Sequence, residues 1–150
     1  ENVNKLKNRI APLSIVVSSI EMLEEYAMFN KKNKNLIKNL LPGAFTLLLK
    51  PKQSNISDKI CLNSKKIGIR IPKSHFILDV VKLINRPIVT TSVNLKDSPS
   101  LNDAKEISLN FSDIDIFKGK VNNKSKGSTI IDFSLNKPKI VRLGDGDFVI

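Results

Sequence analysis

Apolar residues along the chain fall in short runs separated by polar connections, and two alternating periods can be read from them. After Pro12, the β-branched run Leu13-Ser14-Ile15-Val16-Val17 predicts a buried strand. Ser18 or Ser19 then caps a helix over 20–29, with Glu21 in its first turn. Residues 30–35 are Asn and Lys only and read as a solvated connection. Leu36, Ile37, Leu40 and Leu41 recur at helical spacing until Pro42-Gly43 stops them, and 45–49 starts the next strand. Two further strands are predicted at 60–62 and 67–71, the second closed by Pro72. Ser74 caps a helix over 76–84, and 87–91 is a strand running into Ser92-Val93-Asn94. Asp103 opens a short helix to about Leu109, and strands follow at 114–117, 128–133 and 139–143. Residues 1–9 read as the tail of a helix. Strands and helices interleave without strict βαβ alternation, which predicts one α/β (α+β) domain over 1–150 with a mixed sheet flanked by helices.

Composition narrows the chemistry more than the fold. The 150 residues are 41% hydrophobic and 26% charged, a globular balance with enough chain for one substantial core. No apolar run reaches the roughly 18 residues that span a bilayer, and the start carries no basic-then-apolar leader. With one cysteine, Cys61, and one histidine, His75, the sequence holds no zinc finger, zinc ribbon or His-based metal site. A reducing, cytoplasmic setting without membrane attachment is the expectation. Cys61 reads as a small apolar strand residue, and His75 as a residue at a helix start.

The formal net charge is +11, with a pI near 9.8. The chain also has 16 Asn, 19 Ile and 21 Lys, so compositional bias accounts for most of that charge before any polyanionic partner is invoked. Arginine is a sharper signal, because only Arg9, Arg70, Arg86 and Arg142 interrupt the use of lysine. A guanidinium binds carboxylate or phosphate as a two-pronged fork, where an ammonium is a point charge. Chance suffices for Arg86. The other three lie where polar side chains meet strand ends, at Lys7-Asn8-Arg9, Ile69-Arg70-Ile71-Pro72 and Val141-Arg142-Leu143-Gly144. Thr90-Thr91-Ser92-Val93-Asn94 adds four polar side chains at another strand end. In open α/β sheets ligands collect at such ends. Forks, lysine, hydroxyls and an amide without an acid/base dyad suit phosphate or nucleotide chemistry carried by positioning and charge neutralisation. No Walker loop or GxGxxG fingerprint is present.

The order of these segments resembles the YrdC-like family, the threonylcarbamoyl-AMP synthases. The matching strings are Lys7-Asn8-Arg9 (KxR), Leu41-Pro42-Gly43-Ala44-Phe45-Thr46 (LPGPxT) and Ile69-Arg70-Ile71-Pro72 (VRxP). Thr91-Ser92-Val93-Asn94 (TSAN), Ser128-Thr129-Ile130-Ile131-Asp132 (STIxD) and Ile140-Val141-Arg142-Leu143-Gly144 (IxRxG) follow in order. The resemblance implies a twisted mixed sheet around a concave basic cavity. It also implies a nucleotidyltransferase that makes threonylcarbamoyl-AMP and pyrophosphate from L-threonine, bicarbonate and ATP, with Mg2+ on the triphosphate. A threonylcarbamoyl transferase partner then modifies tRNA, and tRNA or double-stranded RNA is an implied ligand. By matched position, Lys7, Arg9, Ser92 and Asn94 would be catalytic. Arg9, Lys66, Ser92, Ser100 and Arg142 would bind ATP, and Arg70, Thr90 and Ser128 would bind threonine.

The chain departs from the family pattern in several places. It starts after the family's Thr-containing PTxTxYGL segment, Ala11 stands at an Asn position, and Val16 stands at a His position. Val93 replaces Ala, and Lys96-Asp97 replaces Ser-Gly. The alternative implied by these departures is a non-catalytic or fragmentary relative that binds nucleotide or RNA.

Overall fold

The computed structural model describes residues 2–8, 10–52, 56–62, 64–95, 98–119 and 122–148. Its elements are α1 (Asn2–Leu6), β1 (Ser14–Val16), α2 (Ile20–Tyr26), β2 (Ala27–Met28), α3 (Lys34–Leu40), β3 (Phe45–Pro51) and α4 (Asp58–Cys61). They continue with β4 (Ile67–Arg70), α5 (His75–Ile84), β5 (Ile88–Thr90), α6 (Ala104–Asn110), β6 (Thr129–Asp132) and β7 (Lys139–Arg142). The chain divides into two compact units. One holds Glu1–Ala11 and Thr91–Lys126, the other Pro12–Thr90 and Gly127–Ile150.

The larger unit contains the sheet, in the order β5-β1-β4-β3-β6-β7, with β2 paired to β3. It is mixed: β1 with β4 and β3 with β6 are parallel, and the remaining pairs are antiparallel. One face follows the apolar half of the strand alternation. Ile15 pairs with Ile69, Ile69 with Leu47, and Leu47 with Ile131, all at or near zero exposure. Leu23 of α2, Ile37 of α3 and Val81 of α5 join the same core. Burying each side chain of this size contributes about 1.5–3 kcal/mol before the entropic cost of ordering it.

Local signals set most helix ends. The Ser19 hydroxyl accepts from Met22 N at 3.2 Å, and an Asp103 carboxylate oxygen accepts from Lys105 N and Glu106 N at 2.8 and 3.1 Å. Ser74 is the N-cap residue of α5 but makes no side-chain cap bond there. Leu41-Pro42 is a cis peptide that follows α3.

Four elements differ from the reading of the sequence. Residues 60–62 are not a strand: Ile60 and Cys61 belong to α4, because the Ser57 hydroxyl caps Lys59 N and Leu62, at φ 45°, closes the turn. Three apolar residues carry no period, so the cap before them decides. The helix from Ile20 stops at Tyr26, and Ala27-Met28 pairs with Lys50 and Pro51. The 30–35 connection is partly ordered, as a 3-10 turn at Lys31–Asn33 and the start of α3. Residues 114–117 form no strand, since no described strand pairs with them; Phe117 is 77% exposed. Among the described residues, no helix is long and apolar enough to cross a membrane.

Candidate functional site

The second face of the sheet is polar along its middle. Side chains of residues paired across strands share a face. The pairs run Thr90↔Ser14, Ser14↔Gly68 and Gly68↔Leu48, and two residues from Leu48 along β3 Thr46 pairs with Ile130, itself paired with Arg142. Arg70, two residues beyond Gly68, also falls on this face. The structure therefore sets Arg70, Thr90 and Arg142, from three strands, on one face of the larger unit. Ser128 immediately precedes β6 and is tied to that face by a 2.7 Å bond between its hydroxyl and that of Thr46.

A β-bulge puts Arg142 there. The pairs Asp132↔Lys139 and Ile131↔Ile140 set a register whose next step is Ile130 with Val141. The sheet instead pairs Ile130 with Arg142, skipping one residue. Without the bulge, Val141 would occupy the polar face and Arg142 the apolar one. Arg142 Nη2 donates to Ser128 O at 2.7 Å and, at 3.5 Å, to the Ser128 hydroxyl. Gly127, at φ +77°, allows this approach, because a Cβ there would lie 3.3 Å from Arg142 Nη2. Gly68 does the same in the middle of the sheet, where a Cβ would come within 2.6 Å of the Ser14 hydroxyl.

Two polar atoms on this face are buried without a hydrogen-bond partner among the described residues, Arg70 Nε and Thr90 Oγ1. Burial, and then the neighbouring Arg142 cation, push the Arg70 pKa below its ordinary value. One sheet face thus carries two guanidinium groups and two buried polar atoms without a partner among the described residues.

Lys66 is tied down. Its ammonium pairs with the Asp132 carboxylate at 2.5 Å, and Ser134 donates to the other Asp132 oxygen through both N (2.9 Å) and Oγ (2.6 Å). Burial of Asp132 would raise its pKa, but the bonds from Lys66 and Ser134 outweigh burial and hold it below the usual carboxylate value. A folded-state pKa below the unfolded one, about 3.9, means that this stabilisation is complete above that value. It is lost as pH falls through the folded value. The melting temperature should therefore fall as pH drops below about 3.9, and Asp132→Asn should flatten that dependence. Identical acid profiles for the two proteins would show that the pair contributes nothing.

The smaller unit holds a second polar cluster. The chain leaves α1 through Asn8 at φ 48°, a left-handed turn that asparagine tolerates. Just before it, Lys7 is 3% exposed, and its ammonium donates to Ser92 O and Asn94 Oδ1, both at 2.5 Å, and to Ser92 Oγ at 3.5 Å. The Ser92 hydroxyl donates to Asn94 Oδ1 at 2.7 Å, and Asn94 Nδ2 donates to Ser98 O at 2.8 Å. Lys7, Ser92 and Asn94 are thus one bonded group. Ser100 is exposed in the segment that follows, and Arg9 lies outside the described residues. His75 is exposed at the first position of α5. Cys61 is buried within α4, and burial, with Asp58 nearby, raises its thiol pKa away from reactivity. No group of three or more His, Cys, Asp or Glu side chains able to hold a metal occurs among the described residues.

Sequence reasoning missed Thr46 and Ser14 as members of the polar face. Their signal was the strand alternation itself: each is a hydroxyl residue placed among apolar strand residues.

Comparison with known proteins brings these features together. The family model for Sua5, YciO and YrdC, described as "Telomere recombination", matches residues 1–144. A putative threonylcarbamoyl-AMP synthase of Methanocaldococcus jannaschii is 38% identical over 141 residues, 90% of this chain and 62% of that protein. The human threonylcarbamoyl-AMP synthase is 28% identical over 152 residues, 95% of this chain and 54% of that protein. The chain thus spans less than two thirds of the length of these relatives. The crystal structure of P. abyssi Sua5 complexed with L-threonine superposes with a TM-score of 0.85 at 27% identity, over 95% of this chain and 43% of that one. With the family model running over nearly its whole length, and with the same fold, the chain belongs to the Sua5/YciO/YrdC family.

Proposed function

We propose that this chain is a threonylcarbamoyl-AMP synthase. Threonine and bicarbonate give the N-carboxylate of threonine with loss of water. A carboxylate oxygen of that carbamate then attacks the α-phosphorus of ATP, and pyrophosphate leaves. The product would serve threonylcarbamoyladenosine formation in tRNA, through a partner transferase. The observation that carries this reading is the placing of Arg70, Thr90 and Arg142 on one sheet face, with Arg70 Nε and Thr90 Oγ1 buried without a described partner.

Arg70 offers a fork to the α-carboxylate of threonine, with Thr90 and Ser128 as the hydroxyl contacts of that substrate. The resemblance assigns Arg142 to the nucleotide and Lys7 to its phosphates, and Ser92 and Asn94 hold the Lys7 ammonium in place. Lys66 and Ser100 are assigned to the nucleotide by resemblance only, as is Arg9. No side chain is assigned as a general base, so the rate enhancement comes from positioning and electrostatics. Magnesium enters as part of the substrate, on the triphosphate.

The testing experiment is pyrophosphate release from ATP, with and without threonine plus bicarbonate. Release that requires both is the expected result. ATP binding without release would support the alternative, a nucleotide- or RNA-binding relative.

A further inference from the structure

We infer that Thr46 is a positioning residue that makes the Ser128 hydroxyl a hydrogen-bond donor toward the substrate's anionic group. This rests on the threonine reading above. Thr46 sits on β3, the strand between β4, which carries Arg70, and β6 with its neighbour β7, which carries Arg142. It is 4% exposed, and its hydroxyl lies 2.7 Å from Ser128 Oγ, in hydrogen-bond contact.

A serine hydroxyl has one proton and two acceptor lone pairs. The Arg142 Nη2 contact at 3.5 Å takes one lone pair of Ser128. If the Thr46 hydroxyl donates to the second, the only capacity left on Ser128 is its proton. Ser128 is then set as a donor beside the Arg142 guanidinium, on the face that also carries Arg70, which matches a carboxylate. Were the bond reversed, Ser128 would spend its proton on Thr46 and present nothing but a lone pair to an anion. The cationic surroundings favour the first arrangement, since an anion held by Arg70 and Arg142 attracts a hydroxyl proton.

The test is a double-mutant cycle read by L-threonine titration, following threonine-dependent pyrophosphate release and calorimetric binding. Thr46→Val keeps shape and removes the hydroxyl. It should raise the half-saturating threonine concentration about 5- to 30-fold, with the half-saturating ATP concentration unchanged. Thr46→Ser should recover most of that loss. In a Ser128→Ala background, Thr46→Val should have no further effect, because Thr46 acts through Ser128.

An equal penalty in both backgrounds, or a parallel shift in ATP dependence, would mark a merely structural role and overturn the inference. So would a Thr46→Val protein with the parent's threonine response. A parent chain indifferent to threonine in both measurements would overturn the threonine reading together with this assignment.

Discussion

Replacing Arg70 with methionine should abolish threonine-dependent turnover by about 100-fold or more while leaving the melting temperature unchanged or raising it. The two halves of this expectation have one cause. Arg70 is a partly buried cation whose pKa is lowered by burial and by the like charge of Arg142, and its Nε is buried without a described partner. In the folded protein without substrate that arrangement costs stability. Exchange of a buried charge for a well-packed apolar side chain of similar reach is often neutral or stabilising, by about 1–4 kcal/mol. With a carboxylate bound, the fork makes two charge-assisted bonds, each worth about 1.5–3 kcal/mol, which sets the loss of activity. Arg70→Lys should recover little, because an ammonium supplies charge without the planar fork. Threonine should raise the melting temperature of the parent and not of the methionine variant. The measurements are a pyrophosphate assay and thermal melts with and without threonine. A methionine variant that loses stability along with activity would reassign Arg70 to the fold, and one that keeps full activity would remove it from the site.

The residues behind that prediction differ in how far the sequence exposed them. Arg70 was legible because its neighbours settled its direction: Ile69 and Ile71 are both buried on the opposite side, so the residue between them must emerge on the other face. Strand β3 and helix α5 were legible for the same reason, a run long enough to show its period. The strand placed at 60–62 failed because three apolar residues have none, and a serine cap of ordinary strength, about 1 kcal/mol, is then enough to choose helix. The failed strand at 114–117 lacked a pairing partner, and strand propensity reflects packing on neighbours more than backbone preference. Arg142 is the instructive case. Its string named it as a candidate, yet simple alternation from Ile140 would direct it to the apolar face. Only the bulge, a property of how β6 and β7 pair, turns it to the polar side. The partner of Thr46 was hidden for a related reason: strand alternation marks Thr46 as a polar position, but Ser128 lies 82 residues away.

Replacing Lys7 with methionine should cost at least about 100-fold in turnover but little more than about 1–2 kcal/mol in stability. The ammonium donates to Ser92 O and to Asn94 Oδ1, and those acceptors belong to a segment that water reaches: Ser92 is exposed and Asn94 partly so. Once Lys7 is gone they rehydrate, so the stability cost is that of ordinary hydrogen bonds rather than of buried orphans. Asn94 also keeps its bonds to the Ser92 hydroxyl and to Ser98 O, which hold the segment's shape. On the proposed reading, the loss of its positive charge from the phosphate site has no such compensation, because charge that develops as pyrophosphate leaves is stabilised only by groups already in place. Turnover should fall with the ATP requirement raised and the threonine requirement nearly unchanged, the reverse of the pattern expected for Arg70 and Thr46. Steady-state titration of each substrate against the Lys7→Met protein, beside a denaturant melt, separates the two effects. If the fold loses several kcal/mol, Lys7 is a structural clamp on 92–98, and if ATP dependence stays at the parent value, its charge does not serve the phosphates.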